Sequence, residues 1–498
     1  MGITVFSGCE EATPQNIIYE TTSPLTTLDP QTLSGETDVQ VAYSIYGTLM
    51  RFDNGGNIVT DIASDYTISK DNKTYTFTIS DDAIWSNGEK VTAHDFVFGF
   101  RRAVLKETSA PFAHTLSPIL NATKILQGKK SINTLGVKAL SNNVFQIKLS
   151  YPCVDFLQIL TTPITMPCNE NFFNSTKGYY GLNDEAVLTC GKYTLSTWNE
   201  EYCKIKSETN SAYFYFDDEE KYIESFEKNQ VDIAKPNYSL LEKIEKLDYE
   251  GGFNHITDTA NFLAINPTSS FANEKIVNAL MSVATYVPKE SESNTYGVFS
   301  QNSIYPQSVM GTQNIVSVDD ADKFKKDAEN LFLEGCEEFD EEFQFPALNF
   351  IYINDPISHN VAIDIAGVWQ NKFGISVNIE AVDSLETLNY RISEKYFDIA
   401  IIPVTANLPS SHSYIEQFSS GNLFSVFNLD TSVLEEEAKK LHKTTTEKQL
   451  SKISKLICNN IYLKPLYQSS KVFFGNSNTT VSINTYNKRI EFENTTKK

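Results

Sequence analysis

Between Lys73 and Ser80 the chain alternates strictly, with Tyr75, Phe77 and Ile79 on one side and Thr74, Thr76 and Thr78 on the other, directly after an Asp71-Asn72 turn pair. A period of two in β-branched and aromatic residues predicts a half-buried antiparallel strand. Beyond it, Thr92-Ala-His-Asp95 has the form of a capping box, and Phe96, Phe100, Ala103 and Val104 then fall on one helical face. The turn Asn142-Asn143 before Val144–Leu149 repeats the strand grammar. Residues ~55–165 therefore read as an antiparallel α+β unit.

The second half is patterned differently. Ala347–Ile353 is continuously apolar, Val361–Phe373 has helical spacing with Gly374 as a stop, and Ile375–Ile379 is a second apolar run. That order predicts a βαβ unit with parallel strands and a right-handed crossover. Phe397–Ile402 adds another strand, so residues ~265–470 read as an α/β lobe. Two lobes of different grammar leave a cleft between them, where ligands collect.

Length and charge narrow the function. The 498 residues fit about three domains, and 32 Phe and 25 Tyr place the chain among folded proteins. With 63 acidic against 41 basic residues the net charge is −22, which repels phosphate backbones and excludes nucleic acid as a partner. No apolar run is long enough to span a bilayer. Seven cysteines without a CxxC exclude a zinc ribbon or a disulfide-dense scaffold. Cys190 and Cys203 flank one hairpin and Cys153 and Cys168 another short segment. Oxidation of either pair in an exported protein and free buried thiols both stand as readings.

Cys9 has a different context. The small pair Ser7-Gly8 before it resembles a bacterial lipobox, although Phe6 stands where Leu is usual, eight residues precede it and the first basic residue is Arg51. The expectation is a truncated lipoprotein signal, residues 1–9, with Cys9 as the lipid attachment site. Such an anchor holds a protein to the membrane without spanning it. The alternative is an ordinary cysteine in an N-terminal tail.

Catalytic motifs are missing. There is no G-x-S-x-G elbow, H-E-x-x-H, P-loop or dinucleotide fingerprint. The six histidines, His94 and His412 among them, show no metal-ligand spacing, and the acidic runs 217–220 and 435–437 read as solvated faces. A glycosidase pair of carboxylates stays open among 63 acids. No catalytic residue, metal or cofactor is assigned, and a binding protein is favoured over an enzyme.

Several stretches taken in order resemble family 5 of the bacterial extracellular solute-binding proteins, the oligopeptide and dipeptide receptors of ABC importers. They are Thr27-Leu-Asp-Pro30, Tyr46–Phe52, Ala83–Val97, Cys190-Gly-Lys-Tyr193 with Trp198, Phe262–Pro267, Trp369–Ile375 and Phe397–Ile402. The resemblance implies an α/β, two-lobed periplasmic-binding-protein-like fold with mixed sheets, a hinge and an extra α+β subdomain. Lobe I would comprise residues 10–55, 165–263 and 472–498, the subdomain 56–164 and lobe II 264–471. It also implies a monomeric, lipid-anchored receptor on the outer face of the bacterial cytoplasmic membrane, which takes a small solute, an oligopeptide or another class, and passes it to ABC permease subunits. A degenerate relative acting as a surface interaction or signalling lipoprotein is the alternative.

In peptide-binding relatives the ligand lies extended against protein main chain. The matching segments are Ser34, Gly35 and Glu36 from the first lobe and Pro403, Val404, Thr405, Ala406 and Asn407 from the second. Relatives carry an Asp for the ligand's ammonium where this chain has Asn407. An amide loses the charge-assisted part of that bond, and Pro403 has no N–H to donate. Glu36 or Glu416 could meet the ammonium instead, or the ligand is not a free-amine peptide. Trp198 reads as core.

Overall fold

The computed structural model describes residues 15–245, 247, 251–287, 303–306, 308, 309, 312, 327–418, 423–441 and 446–498. Cys9 lies outside the described residues. One ten-stranded mixed sheet runs through the molecule in the order Val377–Val382, Leu348–Ile353, Ile399–Thr405, Gly251–Ile265, Leu463–Asn476, Ile233–Lys235, Gln15–Thr21, Asn210–Phe216, Tyr202–Lys206, Thr194–Trp198. The two longest strands, Gly251–Ile265 and Leu463–Asn476, are antiparallel partners from Gly251↔Asn476 to Ala264↔Leu463. At one end the pair joins lobe I through Ile233↔Gly475, and at the other it joins lobe II through Thr259↔Thr405 to Ile265↔Ile399. We call them the hinge strands.

In lobe II the inner strand Ile399–Thr405 is covered on both faces, so it is apolar from Ile399 to Val404 rather than alternating, whereas the edge strand Val377–Val382 leaves Asn378 and Glu380 exposed. Phe262, Ala264, Ala400 and Ile402 belong to the core on one face, and Leu263, Ile265, Ile399 and Ile401 to the core on the other. Leu348–Ile353 and Val377–Val382 are parallel, as the βαβ pattern predicts. The helix between them starts earlier than its apolar spacing predicts, at Pro356 rather than Val361. The reason is a cap: Asp355 Oδ1 accepts from the amides of Ile357 (3.0 Å) and Ser358 (2.9 Å), and Pro at the first helical position has no amide to satisfy. Gly374, at φ 68°, ends the helix. The strand predicted to stop at Ile402 continues to Thr405, through Pro403.

The alternating segment near residue 75 is the strand Thr74–Ile79, with Tyr75, Phe77 and Ile79 buried. It lies in a separate antiparallel sheet ordered Ala63–Ile68, Thr74–Ile79, Val144–Lys148, Val137–Ser141. The helix Ala93–Val104 packs on this sheet, its capping box closed by the Thr92 amide donating to Asp95 Oδ2 at 2.7 Å. Phe96 and Phe100 stack around Phe145, with centroids 5.6 and 5.5 Å away. These side chains are continuous with the core of the first lobe.

A charged cleft at the hinge

The cleft lies where the hinge strands pass between the lobes. Its walls come from the loop and helix start at Ser34, Gly35 and Glu36, from Phe112, Pro163 and Ile164 of the inserted unit, and from Thr405, Asn407 and Leu408 of lobe II. Gly35 is required by close approach: a Cβ there would sit 2.8 Å from Asp38 Oδ2. That carboxylate accepts from the Thr26 amide at 2.7 Å and the Thr26 hydroxyl at 2.6 Å, fixing the loop ahead of the helix Glu36–Ile45.

The floor carries charge. A register shift between Thr257 and Thr259 makes Asp258 the extra residue of a β-bulge in the first hinge strand, a device that re-aims a side chain. Asp258 is buried; its Oδ2 accepts from Lys488 Nζ at 3.1 Å and lies 3.6 Å from Lys471 Nζ, and Thr259 Oγ1 donates to its Oδ1 at 2.9 Å. Lys488 also donates to the Ala406 carbonyl. Its backbone has φ 59°, a left-handed conformation uncommon for a side chain of this size and concentrated at functional positions. Lys471 pairs with Glu36 Oε1 at 2.7 Å, and Lys235 with Glu36 Oε2.

Electrostatics follow from that crowding. Burial pushes the Lys235 ammonium down to about 7, and the charge of Lys471 pushes the same way against the pull of Asp258. Burial also lowers Lys488. For Asp258 burial works upward, but the Lys488 and Lys471 charges overcome it and hold the carboxyl below its usual range.

Of the residues expected from the sequence, Ser34, Gly35, Glu36, Thr405 and Asn407 line this cleft. Val404 and Ala406 instead bury their side chains in the lobe II core, because alternate residues of a strand face opposite ways. Pro403 pairs with Asn261 of the hinge strand. Glu36 is already held by two ammoniums, and Glu416 sits beside His412, with Nε2 to Oε1 3.5 Å. Trp198 is half-buried against the first-lobe core. The sequence reading missed Lys235, Asp258, Lys471, Lys488 and Arg489; the available signal was a lysine inside buried strand sequence, as at Lys471 before Val472-Phe-Phe474.

A second contact joins lobe II to the inserted unit. Leu408 packs into the first-lobe core, and Ser410 Oγ donates to Asp155 Oδ2 at 2.5 Å, with His412 Nδ1 3.8 Å from the same oxygen. Burial pushes Asp155 up to about 6, against the Ser410 hydrogen bond. The six described cysteines are free thiols, and burial raises Cys153, Cys168 and Cys190 to about 12, which leaves them inert at neutral pH. Among the described residues no cluster of three or more His, Cys, Asp or Glu could hold a metal ion, and no helix is long and apolar enough to cross a membrane.

Comparison with known proteins places this geometry. The family model for bacterial extracellular solute-binding proteins, family 5 Middle, matches residues 57–425. The chain is 24% identical over 463 residues to the periplasmic oligopeptide-binding protein OppA of Escherichia coli strain K12, covering 89% of this chain and 84% of that protein. It is 30% identical over 252 residues to the dipeptide-binding protein of Lactococcus lactis subsp. cremoris strain MG1363, a match that takes in 50% of this chain and 45% of that relative. Among solved structures it matches the unliganded open form of the periplasmic murein tripeptide binding protein MppA, with a TM-score of 0.77 at 18% identity over 96% of this chain and 95% of that one. It also matches Haemophilus influenzae OppA in complex with the peptide RPPGFSPFR, with a TM-score of 0.71 at 19% identity over 94% and 95%. At these identities the structures speak for the fold, which is that of two-lobed periplasmic peptide-binding proteins. The chain belongs to family 5 of the bacterial extracellular solute-binding proteins, whose members here are binders and not enzymes.

Proposed function

We propose that this chain is the extracytoplasmic receptor of an ABC importer, which closes about its hinge strands on a peptide-like solute and hands it to the permease as a monomer. The observation that carries this reading is the position of the cleft: both lobes wall it and the strands that join them floor it. A ligand touching both walls favours the closed arrangement, since only contacts that differ between two states shift their balance. Strand geometry supports a peptide. Ile399–Thr405 pairs with Leu348–Ile353 only at Phe350↔Ile399 and Ile351↔Ala400, so its end toward Thr405 runs on beyond that pairing, where an extended ligand can add its own main chain. The names and titles of the relatives, which print dipeptide, oligopeptide and murein tripeptide, point the same way.

The test is a panel of peptides of two to five residues, about 100-fold above their dissociation constants, which should add about 2.7 kcal/mol to stability and compact the protein in small-angle scattering at monomer mass. A panel that leaves both melting and scattering unchanged removes the reading.

We infer further that Cys9 carries the lipid that holds the receptor to the outer face of the membrane. The Cys9→Ser variant, expressed from its natural locus, should move from the membrane fraction to the soluble one. Unaltered partitioning would exclude Cys9 as the anchor.

A further inference from the structure

The floor of the cleft holds more positive than negative charge. Three ammoniums, Lys235, Lys471 and Lys488, share two carboxylates, Glu36 and Asp258, in a chain whose net charge is −22. Buried cations short of counter-charge are costly unless an anion completes them; burial, with the Lys471 charge, holds Lys235 down to about 7, and an anion beside it favours its charged form.

A second, independent observation lies beside the lysines. Arg489 is 8% exposed and lines the same cleft as its neighbour Asn487. Its Nη1 donates to the Tyr43 carbonyl at 3.0 Å, and its Nη2 faces Glu491 and Glu493 only at 3.7 and 4.0 Å. Its Nε is buried with no partner among the described residues; the unpaired Asn487 Oδ1 nearby is an acceptor and takes a donor, not an anion. Unpaired buried donors are rare because each forfeits its hydration, so an unsatisfied guanidinium N–H at the wall of a cationic cleft marks the place of an acceptor supplied from outside. An ammonium finds no free carboxylate here. Both acidic side chains of the cleft are already bound by lysines, and Asn407 offers only an amide.

Resting on the receptor reading above, we propose that the hinge end of the cleft is a carboxylate-binding subsite, so that the solute carried by this protein bears a free carboxylate and needs no free ammonium. The incoming carboxylate adds the counter-charge that the lysines lack and accepts from the Arg489 Nε that now has no partner.

The test uses the full chain and calorimetric titration with five probes: trialanine, its C-terminal amide, N-acetyl-trialanine, and glutarate and its diamide as a non-peptide pair. Amidation should weaken trialanine at least about tenfold, the scale of one charged partner lost, whereas N-acetylation should change it by less than about threefold. The Lys471→Gln variant should bring the acid-to-amide ratio toward one, and Lys488→Gln serves as a second variant with melting as the control for folding. Equal binding of acid and amide, or loss of binding on N-acetylation, overturns the subsite while leaving the peptide receptor in place. Glutarate binding over its diamide, with no peptide bound, upholds the subsite and overturns the peptide reading. No binding by any probe overturns both.

Discussion

Replacing Arg102 by methionine should cost about 3–5 kcal/mol of stability, the largest loss expected from any single change discussed for this protein. Arg102 is buried on the helix Ala93–Val104 and forks onto Asp29, with Nη1 to Oδ1 3.0 Å and Nη2 to Oδ2 2.6 Å. The same Nη1 donates to Gln31 Oε1 at 2.7 Å, and the guanidinium lies 4.1 Å from the Phe173 ring centroid. Removing the arginine leaves the Asp29 carboxylate buried with no counter-charge. The cost is therefore that of an orphaned ion rather than of a lost bond, and Arg102→Met combined with Asp29→Asn should recover part of it. Urea unfolding of the two variants measures this. A single variant within about 1 kcal/mol of the parent, the range of exposed ion pairs, would show that Asp29 finds water instead. Because Pro30 and Gln31, next to Asp29, line the cleft, ligand binding should weaken in step with stability.

The second large effect is a gain. Asp155 titrates at about 6 instead of 3.8 because burial disfavours its charge. A carboxyl whose pKa is raised in the native state holds its proton more tightly there. Its contribution is complete below pH 3.8 and is lost as pH rises through 6. The shift corresponds to about 3 kcal/mol of charge burial at neutral pH. The groups around it are Ser410, His412 and Glu416 from lobe II and Cys153 from its own segment. Asparagine keeps an acceptor for Ser410 and carries no charge. Asp155→Asn should accordingly be more stable than the parent by up to about 3 kcal/mol above pH 6, and the two should converge below pH 4. Melting curves across that range decide it. A variant less stable than the parent at pH 8 would mean that the ionised carboxylate is a favourable partner of His412.

Local elements of this protein are legible because they are encoded in contiguous residues. The alternation at Thr74–Ile79, the Thr92 box and the Gly374 stop each need only a few neighbours to act. Asp355-Pro356 was an equally local signal, overlooked because the apolar period becomes regular only later in that helix. The apolar run alone predicts a strand ending at Ile402, and Pro403 has no N–H to donate to a ladder. The strand accommodates it beside a neighbour whose pairing has already finished at Ala400. Of the charged floor, Glu36 alone was expected from the sequence, and the other four charges were not. Glu36, Lys235, Asp258, Lys471 and Lys488 come from five separate segments, and no spacing relates them until a sheet of ten strands has brought them together.

The hinge strands also bear on the closure proposed above. Two strands bonded along most of their length form a ribbon that bends readily out of its plane but resists sliding, since a slip of one residue would turn every side chain to the opposite face. Asp258 and Lys471 ride on this ribbon, whereas Ser410 lies past the end of the neighbouring strand, at the contact with Asp155. In a pivoting body displacement grows with distance from the axis. Under the proposed closure, the charged end of the cleft would stay nearly stationary as a fixed seat for one end of the cargo while more distant walls swing, so that capture would need only one end of a flexible solute to be placed accurately.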